Sequence, residues 1–203
     1  MASVVNICNL ALAHLGDSAN IVAISPPDGS AQAAYCAQFY PIARDALLEM
    51  HAWDFATKRE ALALIVGVSP SALFSYQYAI PSTMVKAWVL NSAQEEFSEQ
   101  SFPFILETLA DGSKALLTNT PDAILKYTFQ VTDTTKFSSN FVNALSWLLA
   151  SYLAGPITKD IGKKSEATKV FKAELALATT ADANTGGTNI RARYTPGSAA
   201  ARG

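Results

Sequence analysis

The chain has 203 residues, of which 50% are hydrophobic, 16% are charged and two are cysteine. This length fits one domain, or one domain with an insertion. The formal net charge of −2 gives no global field that attracts nucleic acid, and a nonspecific DNA binder normally carries a basic excess. The charged share lies below the roughly 25% that is average for soluble proteins, which indicates a surface covered in an oligomer or a large assembly.

A short helix is predicted from Ser3 to Leu15. Its apolar face is formed by Val4, Ile7, Cys8, Ala11, Leu12 and Leu15. Gly16 ends it. His14 has two interpretations: a ligand or base, or a histidine near a helix C-terminus, where positive charge is favoured. We favour the second, because no other histidine or carboxylate pairs with His14 at a useful spacing.

A longer helix is predicted from Ala31, and its apolar positions recur at steps of three and four residues. They are Cys36, Phe39, Tyr40, Ala43, Leu47 and Met50. Asp28-Gly29-Ser30 supplies a start signal, because a side-chain oxygen can accept from the first free backbone N–H groups. Pro41 removes one helical hydrogen bond, which predicts a kink inside one helix rather than two helices. Trp53 and Phe55 follow the helix as two large aromatic residues.

The two cysteines, Cys8 and Cys36, both fall on apolar helical faces. This position predicts two buried free thiols in a reducing compartment. The first residues lack a basic start followed by an apolar block, so we expect no signal peptide. We find no run of about 18 apolar residues and expect no membrane span.

The middle third of the chain reads as β-structure. Strands are predicted at 58–65, 76–81, 84–90 and 124–131, and a hairpin at 104–118 with its tight turn at Asp111-Gly112. The last of these strands alternates most clearly, with Leu125, Tyr127, Phe129 and Val131 on one face. Together they predict one small antiparallel sheet.

Two helices are predicted after this region. The first begins at about Ser138, carries an apolar stripe and is broken or kinked at Gly155-Pro156. Its stripe consists of Phe141, Leu145, Leu148, Leu149 and Tyr152. The second runs from Ser165 to Ala183. The architecture is therefore predicted to be α+β: a helical bundle of two N-terminal and two C-terminal helices (1–56 and 133–184), a β-rich insertion (57–132) and an extended C-terminal arm (185–203).

The last predicted helix is preceded and lined by four lysines: Lys163, Lys164, Lys169 and Lys172. They could form a nucleic-acid patch. Glu166 and Glu174 are interleaved with them, so a solvated helix face is the interpretation that we favour.

The C-terminal arm has no apolar stripe and cannot bury enough apolar surface to fold alone. Either it is a frayed terminus, or it is an arm that becomes ordered on a partner. Ile190, Arg191, Arg193 and Tyr194 alternate in a way that suits an extended segment added to a sheet edge or laid in an acidic groove.

No catalytic constellation is present in the sequence. It contains no HExxH, no Gly-rich phosphate loop, no GxSxG and no CxxC. Two histidines cannot make a metal site without carboxylates at matching spacing. We therefore expect no enzyme activity, no metal and no cofactor.

The order of the local sequences resembles one known family. A short helix contains ICNLALAHLG, the long helix FYPIARDALLEMHAWDFATKRE and a strand and turn YAIPSTMVKAWVL. They are followed by LLTNTPDAILKYTFQVTD, by FVNALSWLLASYLAGPIT and by TTADANTGG at the end of the last helix. In this order, from about Val4 to Asn184, the chain resembles the tail tubular protein A family, the head-to-tail adaptor (connector) proteins of tailed phages.

The resemblance implies a non-enzymatic structural protein of the virion, made in the host cytoplasm and located at the head–tail junction. Members of that family form a twelve-fold ring below the portal, with the tail nozzle or tube beneath. The lumen passes the genome without sequence-specific binding, and no membrane is involved. The C-terminal arm is then expected to contact the portal, with Ile190, Arg191, Arg193 and Tyr194 as its anchors.

Two other functions are open at the level of sequence. The first is a small helical DNA-binding or regulatory module that uses the four lysines, and it predicts steeply salt-dependent DNA binding. The second is an enzyme whose site is assembled by the fold, and it predicts a concave pocket with convergent polar groups around His51 and Asp54.

Overall fold

The computed structural model describes residues 2–18, 20–67, 71–93 and 100–185. The predicted α+β class is confirmed, since the described residues form four helices and two small antiparallel sheets. The helices are α1 Val4–His14, α2 Ala31–Met50, α3 Ser139–Thr158 and α4 Ile161–Thr185. The strands are β1 Thr57–Ala61, β2 Tyr76–Ala79, β3 Met84–Ser92, β4 Phe104–Thr108, β5 Lys114–Thr118 and β6 Ala123–Phe129. Short 3-10 turns lie at Asp54–Ala56 and Thr134–Lys136.

Three of the four helices begin at a serine whose side chain caps the first turn. The hydroxyls of Ser3, Ser30 and Ser138 each accept from the backbone N–H three residues later. The predicted start of α2 is thus confirmed, with Ser30 as the cap. Asp28 holds this cap in place, because its carboxylate accepts from both the N–H and the hydroxyl of Ser30. These bonds and that from the Val22 N–H lower the pKa of Asp28 to about 2.

Two helices contain an internal proline and continue through it. Pro41 lies inside α2, which remains one helix as predicted. Pro156 lies inside α3, so of the predicted break or kink at Gly155-Pro156 the break is wrong. The helix ends at Thr158, and its C-cap Lys159 adopts a left-handed conformation with φ of 54° and donates its N–H to the Gly155 carbonyl. The next helix then starts at Ile161 and not at Ser165.

The helices share one hydrophobic core, in which α3 packs against α1, α2 and α4. The predicted apolar stripes of these helices face this core, and Cys8 and Cys36 are buried free thiols as predicted. Met50 is an exception at 45% exposure, because it lies in the last turn of α2, where the helix leaves the core. Trp53 is fully buried beside α3, with its ring edge-on to Phe141 and its indole N–H donated to the Leu47 carbonyl.

The helix α3 bears on the expectation that the chain has no membrane span. It has 20 residues and a mean hydropathy of 1.2, which is long and apolar enough for a span by length and composition alone. More than half of this apolar window, 56%, is buried inside the protein. Burial of this kind is typical of the core helix of a globular fold.

The prediction of a single sheet is wrong, because the strands form two sheets with the orders β1-β6-β3 and β2-β5-β4. The run predicted as one strand at 58–65 is divided between them. Leu62 donates its N–H to the carbonyl of Ala123, the first residue of β6, whereas Ala63 and Ile65 pair with β2 through Ala79 and Gln77. The sequence pattern that predicted one strand continues through the point where the chain passes from one sheet to the other. The pattern therefore does not reveal the change of sheet.

The two sheets pack on a second hydrophobic cluster of their own. It contains Leu62, Tyr78, Leu90, Leu116, Ala123, Leu125 and Tyr127. Both tyrosine hydroxyls of this cluster are satisfied: Tyr78 donates to the Thr120 carbonyl and Tyr127 to the Glu60 carboxylate. The described part of the chain therefore holds two separate cores, one helical and one between the sheets.

Replacing Trp53 tests the helical core. We expect Trp53→Ala to lower the free energy of unfolding by about 3–5 kcal/mol, because it leaves a cavity against α3. Trp53→Phe should cost less, since it keeps most of the ring and loses only the bond to Leu47. Urea denaturation measures both, with Leu177→Ala on the exposed face of α4 as a control expected to stay within about 0.5 kcal/mol of the wild type. An equal effect of Trp53→Ala and the control would contradict this description of the core.

Candidate functional site

The sequence-predicted anchors of the C-terminal arm, Ile190, Arg191, Arg193 and Tyr194, lie outside the described residues. The structure describes the chain up to Thr185, the last residue of α4. Thr185, the first residue of the predicted arm, belongs to α4, and its hydroxyl donates to the Ala181 carbonyl.

The end of α4 is fastened to the rest of the protein by one carboxylate. Asp182, with 9% of its side chain exposed, accepts from the Asp54 N–H at 3.1 Å and lies 3.2 Å from His51 Nε2. Burial raises the pKa of Asp182. This cluster fixes the last turns of α4 against the segment that joins α2 to β1.

The same cluster differs from the enzyme site that the sequence allowed. His51 and Asp54 do come close, but Asp54 contributes its backbone N–H, and the carboxylate that meets His51 belongs to Asp182. No sequence pattern points to Asp182, because 131 residues separate it from His51. Two cavities stand out in the described part of the chain, and neither is lined by His51 or Asp54.

One of these cavities, of about 280 Å³, lies at the C-terminal end of α1. The His14 ring stacks on Trp147 with 3.7 Å between the centroids, and its Nε2 is 3.0 Å from Ser146 Oγ. Ser146 donates its own hydrogen to the Asn143 carbonyl, so His14 Nε2 is the donor of the pair. The Nδ1 of neutral His14 then carries no hydrogen.

The charge state of His14 is opposite to the one that the sequence suggested. Burial lowers the pKa of His14, so the neutral ring is favoured. The positive charge at the end of α1 comes instead from Lys163, whose Nζ donates to the Leu15 carbonyl. Lys163 and Glu166 line the same cavity as His14.

The lowered pKa of His14 predicts a loss of stability in acid. Below pH of about 6.5 the unfolded histidine binds a proton that the folded ring resists. We expect the free energy of unfolding to fall as the pH drops through this range, and to fall less in a His14→Gln variant. Urea denaturation at a series of pH values measures the difference. Parallel stability profiles for the two proteins would contradict the assignment.

The lysine face of α4 is divided between two roles. Lys163 caps α1 as described, whereas Lys164, Lys169 and Lys172 are exposed. Glu166 is exposed on the same helix. Acidic and basic side chains are thus interleaved on this surface, as on an ordinary solvated helix. Among the residues that the structure describes, no group of three or more histidine, cysteine or acidic side chains could hold a metal ion.

An unpaired sheet edge is the clearest candidate for an interaction surface. Within the described strands, β4 pairs with β5 on one side only. Ile105 is 37% exposed and Leu106 48% exposed, although both are large and apolar. The strand therefore presents backbone groups and apolar side chains to the outside together, which is the arrangement that another strand can extend.

The second cavity, of about 340 Å³, lies beside the start of β4. Its apolar lining comes from Phe74, Phe102, Pro103 and Pro121. Thr118 also lines the cavity. Its hydroxyl donates to the carbonyl of Pro103, the residue before β4, and so links the start of β4 to the end of β5. Sequence analysis found the hairpin but not this cavity, because its lining comes from separate loops and strand ends.

No family model matches the chain, and no curated protein is significantly similar to it.

Proposed function

We propose that the chain is the subunit of a head-to-tail adaptor ring, which joins the portal of a tailed phage to its tail nozzle or tube. The observation that carries this proposal is the layout of the fold. Two helices, a β-rich segment and two further helices follow one another in the chain, in the order that the resemblance to the adaptor family implies. We take the four helices as a bundle and the β-rich segment as its insertion.

The surface of the protein suits such an assembly. Charged side chains are few, and several large apolar ones are exposed, including Val66 at 95%, Leu73 at 80% and Leu106. A subunit in a ring uses two different surfaces to contact its two neighbours, and the contacts close by rotation. The near-neutral balance of charge also suits a conduit that must release DNA, since a strongly basic lumen would hold the phosphates.

The C-terminal arm is proposed as the portal contact, with Ile190, Arg191, Arg193 and Tyr194 as its anchors. The Asp182 cluster supports this role because it gives the arm a fixed point of departure. An arm tethered to a rigid helix searches a small volume, which lowers the entropy cost of docking.

The DNA-binding alternative has less support. One of its four lysines, Lys163, is committed to the end of α1, and Glu166 lies among the others. The net charge of −2 adds no general attraction for phosphate.

Removal of residues 186–203 tests the proposed portal contact. We expect the shortened chain to keep its fold, because it retains all of α4, and to lose binding to the portal protein of the same phage. Pull-down with purified portal measures binding, and circular dichroism checks the fold. A matched variant, Lys164→Ala with Lys169→Ala, should dock like the wild type. Undiminished docking of the shortened chain would contradict the role of the arm.

A further inference from the structure

The two cysteines of the chain lie side by side in the helical core. Cys8 is in α1 and Cys36 in α2, both are fully buried, and they belong to the same hydrophobic cluster. Their thiols are hydrogen-bonding neighbours. Cys8 also acts electrostatically on the hydroxyl of Tyr40, which lies one turn beyond Cys36 on the buried face of α2. Cys8 is therefore placed against this part of α2 by two separate neighbours.

Small residues flank both cysteines along their helices. Ala11 follows Cys8 by one turn, Ala33 precedes Cys36 by one turn, and both alanines are fully buried. Helices whose facing side chains are small can approach each other closely. A disulfide requires such an approach, because its two Cα atoms lie about 4.4–6.8 Å apart. The packing is thus compatible with a covalent link between two thiols that are already neighbours.

A link between these cysteines would add a constraint that the helical core lacks. The helices α1 and α2 each pack on α3, which holds them in place from one side. A covalent bond from Cys8 to Cys36 would join α1 to α2 directly. The chain has two cysteines in all, and both are buried, so the link would form within one molecule and not between two.

We infer that Cys8 and Cys36 are a latent disulfide site, which stays reduced in a reducing compartment and closes when the protein meets a small oxidised disulfide. Glutathione disulfide is an example of this class of oxidant. Closure fastens α1 to α2 and makes the helical core more resistant to unfolding. The inference does not depend on the proposed adaptor function.

The link forms by two successive thiol–disulfide exchanges. The thiolate of one cysteine attacks a sulfur of glutathione disulfide, which forms a mixed disulfide and releases one glutathione thiolate. The thiolate of the other cysteine attacks the protein sulfur of the mixed disulfide and releases the second glutathione. The two cysteines lose two electrons, which reduce glutathione disulfide, and their two protons pass to the glutathione thiolates.

Burial makes this reaction slow. The hydrogen bond to Cys36 and burial raise the pKa of Cys8, so this thiol keeps its proton in the closed core. Because both sulfurs are shielded from solvent, glutathione disulfide reaches them only when the protein opens locally, for example at the short N-terminal helix α1. The equilibrium must therefore be approached from both the reduced and the oxidised protein.

Equilibration in a buffer of reduced and oxidised glutathione tests the inference on the purified full-length protein. The ratio of linked to reduced chains, read by mass spectrometry after acid quenching, gives the effective concentration of one thiol at the other. We expect a value about 100-fold higher in the native protein than in the same protein unfolded in urea. A factor of this size corresponds to the stabilisation that is typical of a native disulfide.

The same factor must appear in the stability of the protein, because linkage between folding and disulfide formation is reciprocal. The oxidised protein should unfold at a higher urea concentration than the reduced protein. An effective concentration in the native protein that is equal to or below the value in urea would overturn the inference, since the fold would then hold the sulfurs apart. Disulfide-linked dimers on a non-reducing gel would overturn the pairing within one chain.

The matched control exchanges two neighbouring residues of α2, with Cys36→Ala and Ala37→Cys in one variant. Its composition is unchanged, but the thiol is turned by about 100° around the helix and away from Cys8. We expect its effective concentration in the native state to be at least about tenfold lower than in the wild type, with circular dichroism as the check on folding. Equal values for the two proteins would contradict the role of the side-by-side placement.

Discussion

The burial of α3 among the other three helices is the constraint on which the structure depends. Ten of its twenty residues are buried, and they include the hydroxyls of Ser146 and Ser151. Both serines donate to carbonyls within α3 itself, at Asn143 and Leu148, so they enter the core without needing partners from elsewhere. The helix can therefore be surrounded on several sides, which explains a composition apolar enough to resemble a membrane span.

The other features of the fold follow from this arrangement. Trp53, just after the end of α2, packs against Phe141 of α3. The Asp182 carboxylate of α4 accepts from the N–H of Asp54, the next residue in the chain. The end of α1 is held by two contacts. Lys163 of α4 donates to the Leu15 carbonyl, and the His14 ring stacks on Trp147 of α3. The β-rich segment adds a separate core, and within the described strands β4 pairs on one side only.

Local features could be predicted from the sequence, and long-range ones could not. The start of α2 at Ser30, the apolar stripes and the hairpin at Asp111-Gly112 depend on residues that are close together in the sequence, and they are confirmed. The division of 57–65 between two sheets depends on partners in β2 and β6, and Asp182 meets His51 across 131 residues. The position of His14 at the C-terminal end of a helix predicts that its positive form is favoured. Its burial against Trp147 disfavours that positive form. Burial of this kind comes from tertiary packing and leaves no local pattern.

We propose that this protein assembles as a ring on a portal. Native mass spectrometry of the purified protein, alone and mixed with the portal protein of the same phage, tests it most directly. The account predicts a complex in which many copies of this chain, twelve if the family resemblance holds, are bound to one portal. A chain that stays monomeric in both samples would contradict it.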